Sequence, residues 1–252
     1  MQQRGISSPN SIKKILQYHI KSKHIISIRR GLYAVLNPIT DSAESFYVDP
    51  FIVAGQATDD AALAYHTALE LHDLAYTTFE TLTFLTKMHV KSFNFQTQTY
   101  KPVRIPTILI KKGQKNFGIN RIKRSGLNIS VTSLERTIVD IIDRPELGGG
   151  WEEICRSLEN LVIFDTRKVV EYLLLLGNTT TVARVGFFLE KLNAAQGVDK
   201  SLLNQLEKHL PKQPCYLDRN KREQGTLIRE WNLIVPDSVL NTSWEEGRET
   251  NI

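Results

Sequence analysis

The segment that decides the interpretation of this chain is residues 8–36, which reads SPNSIKKILQYHIKSKHIISIRRGLYAVL. Ser8 is a favourable N-cap and Pro9 suits the first position of a helix. Apolar residues then recur at helical spacing, at Ile12, Ile15, Leu16 and Ile20. Two further apolar stretches, 25–28 and 32–36, flank the turn residues Arg29-Arg30-Gly31. The segment therefore predicts a helix followed by a β-hairpin.

Charge is distributed along the chain in blocks of one sign. Residues 1–40 carry seven Lys or Arg and no acid, whereas residues 41–80 carry eight acids and no Lys or Arg. Residues 81–134 carry ten bases and no acid, and the remainder carries fifteen bases and nineteen acids, which gives the net charge of +5. Blocks of this length indicate surfaces suited to oppositely charged partners, such as nucleic acid.

A basic amphipathic helix followed by an Arg-Arg-Gly hairpin is typical of the end of a winged helix-turn-helix. Polar side chains of a recognition helix meet base edges in the major groove, and cations on the helix and wing meet phosphates. Gln17, Tyr18 and His19 could read bases. The alternative is a solvated cationic helix beside a surface hairpin. The candidate DNA contacts are Lys13, Lys14, Gln17, Tyr18, Lys21, Lys23, Arg29, Arg30 and Tyr33.

The rest of the chain predicts an α+β fold: a partial winged helix-turn-helix over residues 1–40, then a larger domain over 41–252 with a mostly antiparallel sheet and a C-terminal helical bundle. Only eight residues precede the first helix, so the helices that normally come before a recognition helix are missing from this sequence. The larger domain is expected to have helices within 49–72, a β-rich part over 80–132, helices over 133–210 and strands within 215–240. We expect one helix capped by Asp59-Asp60 and ending near Leu71, and strands at 81–86, 89–95, 104–111, 119–123 and 127–131.

The basic block at 81–134 leaves two interpretations open. It could form a second basic surface that docks an acidic protein or RNA, or its cations could protect exposed strand edges. The residues concerned are Lys111, Lys112, Lys115, Arg121, Lys123 and Arg124.

Signatures of catalysis and cofactor binding are mostly absent. The chain has no phosphate-binding loop, no G-x-G-x-x-G and no nucleophile elbow. His66 and His72 are six residues apart, and the cysteines Cys155 and Cys215 are sixty apart. We therefore expect no metal site, and free thiols in a reducing cytoplasm. We also expect no cofactor and no catalytic residue. No apolar run approaches the ~20 residues of a membrane span, and no signal peptide is visible.

One acidic segment keeps an enzymatic alternative open. Glu135 and Asp140 could serve a nucleic-acid-processing enzyme together with the basic block. They also have ordinary structural roles, since Glu135 lies in the first turn of a helix and Asp140 is four residues from Arg136, where the two can pair along the helix surface.

Several segments, taken in series, resemble the AbiEi family of antitoxins, described as predicted transcriptional regulators of viral defence systems. They are IRRGLYAV at 28–35, DPFIVA at 49–54, AYHTALELH at 64–72, TSLERTIVD at 132–140, RPELGGGW at 144–151 and WNLIVP at 231–236. The sequence departs from the family at Thr67, where the family usually has Ser, and at Asp73, where the family often has Gly after the His. The helices before the recognition helix are also missing.

The resemblance implies an antitoxin of a type IV toxin–antitoxin, or abortive-infection, system. Its N-terminal winged helix would bind inverted repeats in its own promoter and repress it, and its larger domain would counteract a nucleotidyltransferase toxin without a stable complex. The Gly-Ser and paired-Asp signature of such a toxin is absent from this sequence. We expect a non-enzymatic, cytoplasmic phage-defence regulator, with the nucleic-acid-processing enzyme and the basic docking module as alternatives.

Overall fold

The computed structural model describes residues 8–36, 46–159, 161, 163–196, 199–219 and 221–240. Helices and strands both contribute substantially, so the fold is α+β, as predicted. The helices are α1 (Pro9–Lys21), α2 (Pro50–Gly55), α3 (His66–Leu71), α4 (Thr107–Lys111), α5 (Leu134–Asp143), α6 (Trp151–Glu159), α7 (Thr166–Leu176), α8 (Thr179–Gln196), α9 (Lys200–Glu207) and α10 (Asp237–Leu240). The strands are β1 (Ile25–Arg29), β2 (Leu32–Val35), β3 (Ala62–Leu63), β4 (Thr81–Thr86), β5 (Phe93–Phe95), β6 (Gln98–Arg104), β7 (Ile119–Arg124), β8 (Leu127–Thr132), β9 (Cys215–Tyr216), β10 (Gly225–Ile228) and β11 (Leu233–Pro236).

The first helix and hairpin form where the sequence predicts them. Ser8 caps α1, because its side chain accepts a hydrogen bond from the Ser11 amide at 3.2 Å. Strands β1 and β2 pair in antiparallel fashion, and the turn between them holds Gly31 at φ +87°, a conformation that favours glycine. The boundary predicted at residue 40 lies outside the described residues.

A six-stranded mixed sheet forms the centre of the molecule, in the order β5-β6-β4-β3-β8-β7. Three of its five pairings are antiparallel, and β4–β6 and β3–β8 are parallel. The strand predicted over 104–111 is wrong: β6 ends at Arg104, and Pro106 precedes the short helix α4. Short apolar runs do not by themselves distinguish a strand from a buried helix. The strand predicted over 89–95 is shorter in the structure and covers only β5.

The helix predicted from Asp59 to Leu71 is also wrong, because a central strand interrupts it. The alanine-rich residues 61–64 have high helix propensity. Nevertheless, β3 pairs with β4 on one side and β8 on the other, and this tertiary pairing overrides the propensity. Tyr65 then turns the chain sharply into α3 with φ +57° and ψ −134°, a backbone region that non-glycine residues rarely occupy.

Helices α5 to α9 pack together and against the sheet to build the larger of two apolar clusters. Trp231, just before β11, is buried in this cluster against α8. Strands β9, β10 and β11 form a separate small sheet within residues 215–240, the range in which strands were expected. Both cysteines are free thiols, and burial raises the pKa of Cys155 to about 12. Within the described residues, no helix is both long and apolar enough to cross a membrane.

Candidate nucleic-acid interface

One face of α1 is cationic and open to solvent. Lys13, Gln17 and Lys21 follow one another at four-residue spacing, and Lys14 and Tyr18 lie beside them on the helix surface. All five side chains are exposed. No acid occurs in the helix, so nothing on α1 itself neutralises the lysines. The face combines cationic and polar side chains, which are the side chains that contact phosphates and base edges in DNA complexes.

The opposite face of α1 carries the apolar stripe. Leu16 and His19 are half-buried, and the helix contacts β1. The His19 ring centre lies 5.6 Å from the ring centre of His24, and Gln17 and Tyr18 are the exposed residues among the three predicted base readers. Ile12 and Ile15 remain 46% and 41% exposed, so the described part of the chain covers only one side of the stripe.

The two arginines of the hairpin point in different directions. Arg30 is exposed at the turn. Arg29 points into the molecule: its guanidinium donates to the Ala57 carbonyl and lies 5.1 Å from the Phe93 ring centre. The prediction that Arg29 contacts phosphate is therefore corrected, because this cation attaches the hairpin to the body. Lys23 is exposed and Tyr33 is half-buried.

The body supports the hairpin by apolar contact as well. Ile28 and Leu32 pack against the smaller apolar cluster, which includes Val53, Phe84 and Tyr100. The hairpin is therefore held on the β5 side of the central sheet. Ser8 is the only described residue ahead of α1, and the expected winged helix-turn-helix concerns residues that lie outside the described part of the chain as well.

The structure divides the predicted second basic surface into separate groups. Lys111 is exposed at the end of α4, and Lys112 donates to the Leu175 carbonyl at 2.9 Å. Lys115 and Arg121 line a cleft of 280 Å³ that also contains Asp59 and Asp60. Arg124 pairs with Asp49 and stacks on Phe51 at 4.6 Å. Lys123 is exposed on β7, an outer strand of the six-stranded sheet, where a cation protects an edge.

The acids of the enzymatic alternative have structural partners. Asp140 accepts from Arg136 Nε at 3.2 Å and from the Tyr172 hydroxyl at 2.7 Å, and Glu135 accepts from the Asp165 amide. The Arg136–Asp140 pair forms at the predicted spacing, but it is buried and does not lie on the helix surface. Burial raises the pKa of Asp140, although both partners oppose that shift. Among the described residues, no cluster of three or more His, Cys, Asp or Glu could hold a metal ion.

A buried clamp around His66 was not anticipated. Its ring nitrogens lie 3.0 Å from Glu70 and 3.1 Å from Glu153, and the ring stacks on Phe79 at 3.9 Å. Glu153 also accepts from the backbone amides of Tyr76 and Thr77. The clamp joins α3, the following loop and α6. The sequence places Glu70 four residues from His66 but could not indicate the contact with Glu153, which is 87 residues away.

The similarity of this chain to known proteins is one of fold. No family model matches the chain, and no curated protein matches it significantly. Among solved structures, the crystal structure of the RV2827C protein from Mycobacterium tuberculosis is similar, with a TM-score of 0.59 and 14% sequence identity. The match covers 88% of this chain and 79% of that chain. At this identity the likeness establishes a shared fold.

Proposed function

We propose that this protein is a DNA-binding antitoxin that represses its own promoter and counteracts a nucleotidyltransferase toxin. The observation that carries the DNA-binding part is the exposed face of α1, where Lys13, Lys14 and Lys21 surround Gln17 and Tyr18. Arg30 extends the same charge onto the hairpin turn. The antitoxin part, and with it phage defence and a cytoplasmic location, rests on the resemblance to AbiEi antitoxins.

In the proposed complex, α1 lies in the major groove of an inverted repeat. Lys13, Lys14 and Lys21 contact phosphates, and Gln17 and Tyr18 contact base edges. Arg30 and Lys23 contact the backbone beside the groove. The exposed apolar residues Ile12 and Ile15 lie on the other side of the helix and face away from the DNA.

The test is a binding titration of the protein against the DNA upstream of its own gene, repeated at several salt concentrations. We expect the logarithm of the affinity to fall linearly with the logarithm of the salt concentration. The combined substitution of Lys13, Lys14 and Lys21 by Ala should reduce the slope of this line by about 0.9 for each phosphate that the protein no longer neutralises. Gln17→Ala should instead cost about 1–3 kcal/mol of discrimination between the operator and mutated operators.

The matched control is Lys168→Ala, which removes an exposed lysine from α7 in the body. It should leave both affinity and salt slope unchanged. Salt-independent binding, or an equal reduction of affinity by the α7 and α1 substitutions, would contradict the proposed DNA-binding face.

A docking role for the basic block remains the second candidate, because Lys111 and Lys115 are exposed. Co-expression of the neighbouring toxin gene with this protein separates the two roles. If the block docks a partner, charge reversal at Lys111, Lys112 and Lys115 abolishes protection from the toxin while promoter binding persists. If protection survives the reversal, these cations serve the local contacts and edge protection described above.

A further inference from the structure

A polar cleft of 320 Å³ lies on the body, on residues that the proposed DNA-binding function does not use. It forms where the end of α5 meets the beginning of α8 and the segment after β9. Three arginines line it, together with Asn178 and three carboxylates. The arginines are Arg144, Arg184 and Arg219.

Arg184 is the unusual member of this cleft, because it is buried without an ion-pair partner and its guanidinium instead lies 5.5 Å from the Trp151 ring centre. It is 1% exposed, and none of the ion pairs found among the described residues involves it. Its Nη1 makes two long hydrogen bonds, to the carbonyls of Ile142 at 3.4 Å and Asp143 at 3.3 Å. Its Nε is buried and has no hydrogen-bond partner. A buried cation without an ion-pair partner is costly, and an anion bound in the cleft would lower that cost.

Electrostatics around Arg184 act in the same direction. Burial and the neighbouring charge of Arg219 lower the pKa of Arg184 to about 10. Two guanidinium groups that repel each other beside one cleft are a favourable arrangement for an anionic ligand, since the anion interacts with both.

The carboxylates of the cleft already have donors. Asp143 accepts from Asn178 at 3.0 Å and from the Thr181 hydroxyl, and Glu146 pairs with Arg144 at 3.1 Å. Asp218 accepts from the Lys221 amide at 3.2 Å. Asp143 and Asp218 oppose only part of the lowering of the Arg184 pKa. The remaining lone pairs of the acids can accept hydrogen bonds from hydroxyl groups.

We propose that this cleft binds a small phosphate monoester that carries hydroxyl groups, such as a sugar phosphate or a nucleoside monophosphate, with the phosphate held by Arg184 and Arg219. The guanidinium fork matches phosphate oxygens in bidentate geometry, and the rim carboxylates suit sugar hydroxyls. The volume falls at the small end of ligand sites, which span roughly 300–1,000 Å³.

The test is isothermal titration calorimetry of the full chain with inorganic phosphate, ribose 5-phosphate and AMP, at constant ionic strength, with sodium chloride as the ionic control. We expect saturable binding of ribose 5-phosphate and AMP that is at least about tenfold tighter than binding of inorganic phosphate, which corresponds to about 1.4 kcal/mol. Equal affinity for the two esters assigns the site to the sugar phosphate, and tighter AMP binding assigns it to the nucleotide.

Two substitutions and a control locate the site. Arg219→Ala removes an exposed cation and Arg184→Lys retains charge without the fork, and each should weaken binding at least about tenfold. Arg222→Ala removes a nearby exposed arginine that lines a different cleft, and it should have no effect. If Arg184→Lys fails to fold by circular dichroism, Arg219→Ala alone decides.

Three results would overturn the proposal. They are the absence of saturable binding to both esters, an inorganic phosphate affinity equal to theirs, and an equal weakening of binding in the Arg222 and Arg219 variants. Promoter binding is measured on the same proteins. Because α1 is untouched, loss of the cleft ligand with normal DNA binding separates this proposal from the proposed function.

Discussion

At the scale of single residues, Glu153 shows how a buried carboxylate can organise a loop. One oxygen accepts from the Tyr76 and Thr77 amides at 3.0 and 3.1 Å, and the other accepts from the Thr77 hydroxyl at 2.8 Å. His66 contacts the same carboxylate. Burial would raise the pKa of Glu153, but the hydrogen bonds from Thr77 and His66 outweigh burial and hold that pKa below its usual value. The ionised form is therefore the one that stabilises the fold.

We predict that Glu153→Gln lowers the free energy of unfolding by about 1–3 kcal/mol at pH 6, because the amide NH₂ faces donors where the carboxylate accepted. A carboxyl with a lowered folded-state pKa contributes stability above its unfolded-state pKa of about 4.3, and this contribution is lost as the pH falls through the folded-state value. The difference between the two proteins should therefore shrink between about pH 5 and pH 3 in urea titrations.

Glu152→Gln is the matched control, since Glu152 is the exposed neighbour of Glu153 on α6. It should change stability by less than about 0.5 kcal/mol at any of these pH values. Glu70, the other acid at His66, is present in all three proteins. A pH-independent difference for Glu153→Gln would contradict the assigned role of its charge.

At the scale of elements, the contact between α8 and Trp231 shows why a glycine occurs inside a long helix. A Cβ atom at Gly186 would lie 2.0 Å from the Trp231 ring, which is far inside van der Waals contact. The Trp231 indole is also held by a 2.6 Å hydrogen bond to Glu190, one turn further along α8. The missing side chain therefore provides the space that the ring occupies.

We predict that Gly186→Ala destabilises the protein by about 1–3 kcal/mol, the usual cost of overpacking a core. In a helix without a neighbour at this position, the same change would stabilise the protein by about 0.5–1 kcal/mol. The sign of the change in stability therefore shows whether the added methyl group clashes with the Trp231 ring. Thermal denaturation followed by tryptophan fluorescence and circular dichroism measures it.

A second variant tests the steric cause of that destabilisation. If the ring is responsible, Gly186→Ala combined with Trp231→Phe should cost less than the sum of the two single changes, because the smaller ring leaves room for the methyl group. Strict additivity of the two changes would exclude the clash as the cause.

At the scale of the whole molecule, the hairpin and body are joined where the proposed DNA-binding segment meets the central sheet. Arg29 and the apolar side chains of Ile28 and Leu32 make this attachment. The neighbouring Arg30 is exposed and makes the proposed contact with DNA. Of these adjacent arginines, one attaches the hairpin and the other is exposed for the proposed contact with DNA.

We predict that Arg29→Ala increases amide hydrogen exchange in β1 and β2 and leaves β4 and β6 protected, because it loosens the hairpin without disturbing the central sheet. Arg30→Ala should leave exchange unchanged and reduce the salt slope of promoter binding by about 1. Unchanged exchange in the hairpin of the Arg29 variant would show that the apolar contacts alone hold it.

The local sequence pattern was sufficient to predict the first helix and several strands. Ser8 and Pro9 predicted the beginning of α1, and the glycine turn predicted the β1–β2 hairpin. Strand β4 agrees with the predicted 81–86. These signals lie in caps, turns and periodicity, which act over a few residues and need no distant partner.

The sequence by itself determined the α+β class, the acid-free cationic helix and its polar face, because these depend on residue spacing within single elements. Only the tertiary structure decided that residues 62–63 form a central strand, that Arg29 turns inward to Ala57, and that Arg184 and Arg219 share a cleft. Each of these depends on partners tens of residues away. Burial and pairing with such distant partners contribute more free energy than local propensity does, and the residue pattern within one element does not reveal these partners.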